Sequence, residues 1–183
     1  LGTDYIDLMI LHQPAGDYLA GYAKLEAAYK AGKLRSIGIS NFNKAEIENL
    51  LAHCEIAPAL IQVECHPYFP QTELKELLDK HNIALQSWYP LGGRDNKSIL
   101  EEPIVSELAE KYGKTAAQVI MRWHVQQGNI VIPGSKTPSH IADNIDIFDF
   151  ELSDEDMEAM AALDQGKPFY ERTAEKIAFY ATW

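Results

Sequence analysis

Cysteine is scarce in this chain, with two in 183 residues. Cys54 and Cys65 form no CxxC pair and lie in apolar stretches. That argues against a disulfide framework or a cysteine-built metal site, and predicts buried reduced thiols in a cytoplasmic protein. Positive charge is also short: 16 Lys and Arg against 27 Asp and Glu leave a formal net charge of -11. The acidic excess is scattered, as at Glu46, Glu48, Glu73 and Glu76, and reads as solvated helix faces. Nucleic acid and anionic membranes are therefore poor candidate partners. No apolar run approaches the roughly 20 residues needed to span a bilayer. No GxGxxG turn is present to hold a dinucleotide, and no histidine pair has zinc-ligand spacing such as HExxH. No metal is expected.

What is present is a hydrophobic fraction of 46%, enough for one domain-sized core over residues 1–183. Five short runs rich in Ile, Val, Leu and aromatics read as strands: Asp7 to His12, Arg35 to Ser40, Leu60 to Cys65, Ala84 to Tyr89 and Asn129 to Pro133. Most lack clean alternation, as expected where both faces of a sheet are buried. Between them, Ile47, Leu50, Leu51 and Cys54 form one helical stripe; Leu74, Leu77, Leu78 and His81 form another; Val105, Leu108, Ala109 and Tyr112 a third. Boundary signals agree: Asn43 with Glu46, Pro103 at a first turn, Thr115, Gly128, and Ser153 with Asp156. Strands alternating with helices predict an α/β fold with a parallel sheet. A barrel of eight βα units takes about 250 residues, so five units and a tail suit the C-terminal five units of a (β/α)8 TIM barrel with the N-terminal three absent. An open, doubly wound five-stranded sheet is the competing architecture.

Function in parallel α/β proteins gathers where strands end. Those positions hold His12 and Gln13, Ser40 and Asn41, Gln62 and Glu64, Trp88 and Tyr89, then Gly134, Ser135 and Lys136. Amides, a hydroxyl, an imidazole and aromatic rings make a hydrogen-bonding floor with a stacking platform. Such a set suits a flat heteroaromatic amide.

The segments "LGTDYIDLMILHQP", "RSIGISNF", "IQVECHPY", "SWYPLGG", "VIPGSK" and "IADNIDIFDFELSDEDM" occur in this order. Together they resemble the aldo-keto reductases, in particular the small bacterial kind similar to diketogluconate reductases, over essentially the whole chain. The resemblance implies a (β/α)8 barrel, an NADPH cofactor with NADH as the alternative, a small carbonyl substrate, a monomeric full-length protein, and reversible reduction of aldehydes or ketones to alcohols.

By that resemblance His12 orients and polarises the substrate carbonyl. Ser40, Asn41 and Gln62 hydrogen-bond the nicotinamide carboxamide, and Ile61 stands where relatives often carry Asn. Trp88, with Tyr89 next to it, takes the position of a Tyr that stacks on the nicotinamide ring. Leu91 and Gly92, with Arg94 and Lys97, match the loop over the pyrophosphate. Gly134, Ser135, Lys136, His140, Asp143 and Asn144 match the site for the adenosine half. The NADP-preferring pattern places Lys directly after the Pro and an Arg further on; here those positions hold Gly134 and His140, with Lys136 displaced by two. The 2′-phosphate thus loses its bidentate partner. His66 in "CHPY" is expected to order a turn, and His53, His81 and His124 to fall in helices. The tail with Phe169, Tyr170, Phe179 and Trp183 either closes over the substrate or packs on the surface.

The family's catalytic Tyr, the Lys beside it and its Asp belong to the three units expected upstream of Leu1. Tyr68 and Tyr89 do not occupy the matching place. The chain alone is accordingly expected to be inactive and to hold the cofactor-binding half. The alternative expectation is a non-catalytic nucleotide-binding or scaffold half-barrel.

Overall fold

The computed structural model describes residues 2–93 and 98–182. The elements run β1 (Met9–Leu11), α1 (Tyr18–Lys30), β2 (Ile37–Ser40), α2 (Lys44–His53), β3 (Leu60–Glu64), α3 (Thr72–Lys80) and β4 (Ala84–Trp88). A 3-10 turn at Ser98–Glu101 precedes α4 (Pro103–Tyr112), α5 (Ala116–Gln126), β5 (Ile130–Val131), α6 (Pro138–Ile145), α7 (Asp154–Ala161) and α8 (Ala174–Tyr180). The chain forms two compact units, one of Leu1–Val63, Thr72–Leu85 and Glu171–Trp183, the other of Glu64–Gln71 and Gln86–Tyr170.

In the first unit β1 pairs in parallel with β2, Leu11 opposite Ile39, and β2 with β3, Ser40 opposite Gln62. Ala84 at the start of β4 donates to the Ala59 carbonyl. Gly38 is required in β2, because a Cβ there would sit 2.9 Å from the Leu60 carbonyl oxygen. Ile37 and Ile39 of β2, Ile47 and Leu50 of α2, Ile61 of β3, and Phe42 are fully buried. Each such side chain contributes roughly 1.5–3 kcal/mol of apolar burial. The expected Asn43/Glu46 capping box starts α2. Helix α1 was not among the expected helices, for a physical reason. It buries only Tyr22 and Glu26, and both serve polar partners: Tyr22 donates to the Ile56 carbonyl, and Glu26 accepts the N–H groups of Glu55 and Ile56 at 2.7 and 2.8 Å. Its apolar stripe, Tyr18, Tyr22, Leu25 and Tyr29, is mostly tyrosine, with Tyr18 and Leu25 half-buried and Tyr29 exposed, so it gives a weak signal.

In the second unit Gln86 and Ser87 of β4 pair in parallel with Ile130 and Val131. Trp123, Ile120 and Val119 of α5 pack with Val105 and Leu108 of α4 and Met160 of α7. Pro103 opens α4 and a left-handed Gly113 closes it, while Thr115/Gln118 and Ser153/Asp156 capping boxes open α5 and α7. Burial alone would raise the Asp156 carboxyl, but hydrogen bonds from Lys111, Tyr112 and Ser153 outweigh it and hold it at about 2.

Several expectations need correction. Strands β2 and β3 are buried almost throughout, but burial alternates along β4. Strands β1 and β5 are shorter than expected, and Met9 and Ile130 are exposed. His53 and His124 lie in helices, whereas His81 falls in the turn just after α3. Cys65 is buried, with no disulfide among the described residues, but Cys54, at the C-cap of α2, is only half-buried. No helix among the described residues is long and apolar enough to cross a membrane.

Candidate functional site

The first unit brings four of the expected residues together at the ends of three adjacent strands. Register places Ser40 beside Gln62, and Asn41 ties the neighbours down: its backbone N–H donates to the Gln62 carbonyl at 3.0 Å and its side-chain Nδ2 to the His12 carbonyl at 3.2 Å. Both bonds come from one residue because Asn41 sits at φ 64, a left-handed conformation that Asn tolerates better than most residues. Ser40 is 1% exposed, and its Oγ has no hydrogen-bond partner among the described residues. A buried hydroxyl left unsatisfied costs free energy, so a site awaiting a polar ligand is a physical explanation for it. The His12 ring is exposed, while its backbone is held by Asn41.

The second unit holds the ring platform. Trp88 at the end of β4 is half-buried, and the Tyr89 ring meets it edge-on at 4.7 Å. Tyr89 has φ 54, an unusual conformation for a bulky residue that costs about 1–3 kcal/mol and clusters at functional sites. Its 42% exposed ring leans over Gly93, where a Cβ would come within 3.0 Å. Leu91 and Gly92 complete the turn, with the Gly92 N–H donating to the Tyr89 carbonyl at 3.0 Å. Arg94 and Lys97 lie outside the described residues.

The residues expected for the adenosine half are less tightly held. Ser135 accepts the Thr137 N–H at 3.1 Å, making a turn into α6, and Gly134, Lys136 and His140 are exposed. Lys136 and His140 make no side-chain hydrogen bond or ion pair among the described residues. Ser135 and Asn144 line a cleft of about 440 Å³ with Met121, Ile141, Ile145 and Phe148. Its walls are mainly apolar. Gly134, Lys136, His140 and Asp143 are not part of that lining.

Two functional-looking features escaped the sequence reading. Glu64, noted only as a strand-end residue, is 5% exposed and accepts the backbone N–H groups of Phe169 and Tyr170. Its only sequence signal is an acidic residue in a run otherwise fit for a buried strand. The other feature is a buried polar group behind the platform. Asn129 Nδ2 lies 3.4 Å from His124 Nδ1 and 4.0 Å from Cys65 Sγ. Burial drives His124 down to about 3, against the pull of the Pro90 carbonyl and with help from His66. His66 orders a turn as expected, exchanging backbone hydrogen bonds with Phe69, and its Nε2 donates to Glu64 at 3.0 Å. No cluster of three His, Cys, Asp or Glu side chains is placed to hold a metal ion among the described residues.

The model of a protein family described as "Aldo/keto reductase family" matches residues 1–165. An aldo-keto reductase of Mycolicibacterium smegmatis is 43% identical over 170 residues, which are 91% of this chain and 61% of that protein. An aldo-keto reductase enzyme from a Medee basin deep-sea metagenome library has a structure that matches with a TM-score of 0.90 at 35% identity, over 93% of this chain and 63% of that one. A mutant of Gox0644 in complex with NADPH matches with a TM-score of 0.85 at 38% identity, over 91% and 62%. The chain thus spans less than two thirds of the length of each.

Proposed function

The chain belongs to the aldo/keto reductase family, and on that premise we propose that it serves NAD(P)H-dependent reduction of aldehydes or ketones to alcohols. On this reading its βα repeats are five consecutive units of a (β/α)8 barrel, supported by the parallel pairings and by the likeness to solved structures of the family. The observation that carries the proposal is the buried, unpartnered Ser40 Oγ beside Asn41 and Gln62 at adjoining strand ends.

These residues fit a nicotinamide carboxamide, which both donates and accepts. Ser40, Asn41 and Gln62 would hold it and so choose the ring face presented to substrate. On the same reading Trp88 would stack on a nicotinamide ring and shield the face it covers from water. The reduced nicotinamide, when bound, supplies the hydride. His12 donates a ring N–H to the substrate oxygen as that oxygen gains negative charge, and its backbone tether to Asn41 limits the places its ring can reach. Tyr68 is no candidate for the proton donor, since it is buried and its hydroxyl is committed to Glu102. Preference for NADPH over NADH rests on Lys136 as a point charge without a bidentate Arg, so it is modest.

Titration of the protein with NADPH and NADH, followed by Trp fluorescence, tests the reading. Saturable quenching is expected, largely lost in Trp88→Ala. In a full barrel that contains this chain, His12→Ala should leave that quenching in place while slowing reduction of a small aldehyde. Absence of quenching by either nucleotide overturns the proposal, and equal loss of binding and turnover in His12→Ala would make that histidine structural.

A further inference from the structure

Within the second unit, residues 165–170 run along residues 64–68 as a strap. The N–H groups of Gln165 and Lys167 donate to the Tyr68 carbonyl, at 3.0 and 3.4 Å. Beyond them the Glu64 carboxylate accepts the Phe169 N–H at 2.6 Å on Oε1 and the Tyr170 N–H at 3.1 Å on Oε2. Two consecutive backbone donors on one carboxylate fix the direction in which the next side chain leaves the strap. The Phe169 ring packs on the His66 imidazole at 4.5 Å, and His66 itself donates to Glu64. The Tyr170 ring then meets the Trp88 indole at 5.8 Å and 77°, an edge-to-face contact. Tyr89 meets the same indole at 4.7 Å and 73°. The platform ring is thus gripped by two tyrosines, and the Tyr170 side of the grip is held by a buried carboxylate.

We propose that Glu64 and Tyr170 are positioning residues: Glu64 pins the strap, Tyr170 projects from it, and the pair holds the Trp88 indole at the angle at which it receives a flat ring. The cofactor part of this inference rests on the reading of Trp88 as the nicotinamide platform. The clamp itself does not, because every contact in it is between residues of this chain. It also gives the C-terminal segment a defined task on the cofactor side, separate from surface packing.

The test compares Glu64→Gln, Tyr170→Ala and Tyr170→Phe with wild type, using Trp88→Phe to identify the Trp88 band in near-UV circular dichroism. Spectra are recorded without nucleotide, and NADPH is then titrated by Trp fluorescence. Glu64→Gln and Tyr170→Ala should lose most of the Trp88 band and bind NADPH about fivefold more weakly, the worth of one aromatic pair, whereas Tyr170→Phe should keep both. If Glu64→Gln fails to fold by far-UV spectra, Tyr170→Ala, which removes only a half-buried ring, carries the test. An unchanged band in Tyr170→Ala, or equal losses in Tyr170→Phe and Tyr170→Ala, overturns the clamp. Wild-type protein that shows the band and its loss on mutation but binds no NADPH overturns the cofactor reading alone.

Discussion

The strand ends of the first unit and the α6 turn of the second were both expected to meet the nucleotide, yet they are built differently. At the strand ends, β2 lies hydrogen-bonded between two neighbours, Ser40 is buried, and Asn41 ties His12 to Gln62. At the turn, β5 is two residues long, Gly134, Lys136 and His140 are exposed, and two local Ser135–Thr137 bonds shape the backbone. Sheet pairing frames the first region. The second presents charge and backbone without a frame, so it can tune affinity more readily than it can set geometry.

The largest expected effect concerns acid, and it separates the units. The unfolded chain takes up a proton on His124 below its ordinary value of 6.5, while the folded chain refuses it until about 3. The unfolded state therefore binds more protons, and stability rises with pH across that window by up to ~1.4 kcal/mol per pH unit. Asp156 acts in the same direction but lower: its contribution is present above 3.8 and lost as pH falls through about 2. Urea unfolding between pH 7 and 4.5 should show the slope, and His124→Gln should flatten it. A slope unchanged in His124→Gln would assign the acid sensitivity elsewhere.

Next comes a pair of glycines. Gly38→Ala forces a Cβ to 2.9 Å from the Leu60 carbonyl and should cost about 1–3 kcal/mol. Gly134→Ala meets nothing within 4 Å and should stay within ~0.5 kcal/mol. Similar costs in thermal or urea melts would erase the contrast between framed and unframed regions. A smaller effect is expected on affinity. Asn41→Ala should weaken NADPH about tenfold, the scale of a lost hydrogen bond plus a left-handed backbone now disfavoured. Lys136→Ala should weaken NADPH roughly threefold, as an exposed charge does, and leave NADH unchanged. Larger loss from Lys136 than from Asn41 would invert the comparison.

Much of this was legible in the residues themselves. The Asn43/Glu46 and Ser153/Asp156 boxes, Pro103 and the turn after "HVQQ" are local signals, and the structure uses each where its chemistry directs. The strand ends were legible because an apolar run gives way there to His, Ser, Asn or Trp. Helix α1 was not, since the two residues it buries, Tyr22 and Glu26, are polar-tipped and bind backbone groups of a later loop. Nor was the task of Glu64, whose partner Phe169 lies 105 residues away. The left-handed backbone of Asn41 and Tyr89 depends on neighbours that no short window contains.

The most direct test of the strand-end site is the affinity of wild type and Ser40→Ala for two ligands, NADPH and 2′-phospho-ADP-ribose, which lacks the nicotinamide. If Ser40 holds the carboxamide, the substitution weakens NADPH and leaves the truncated ligand unaffected. Equal weakening of both, or of neither, would contradict the assignment of the nicotinamide to this strand end.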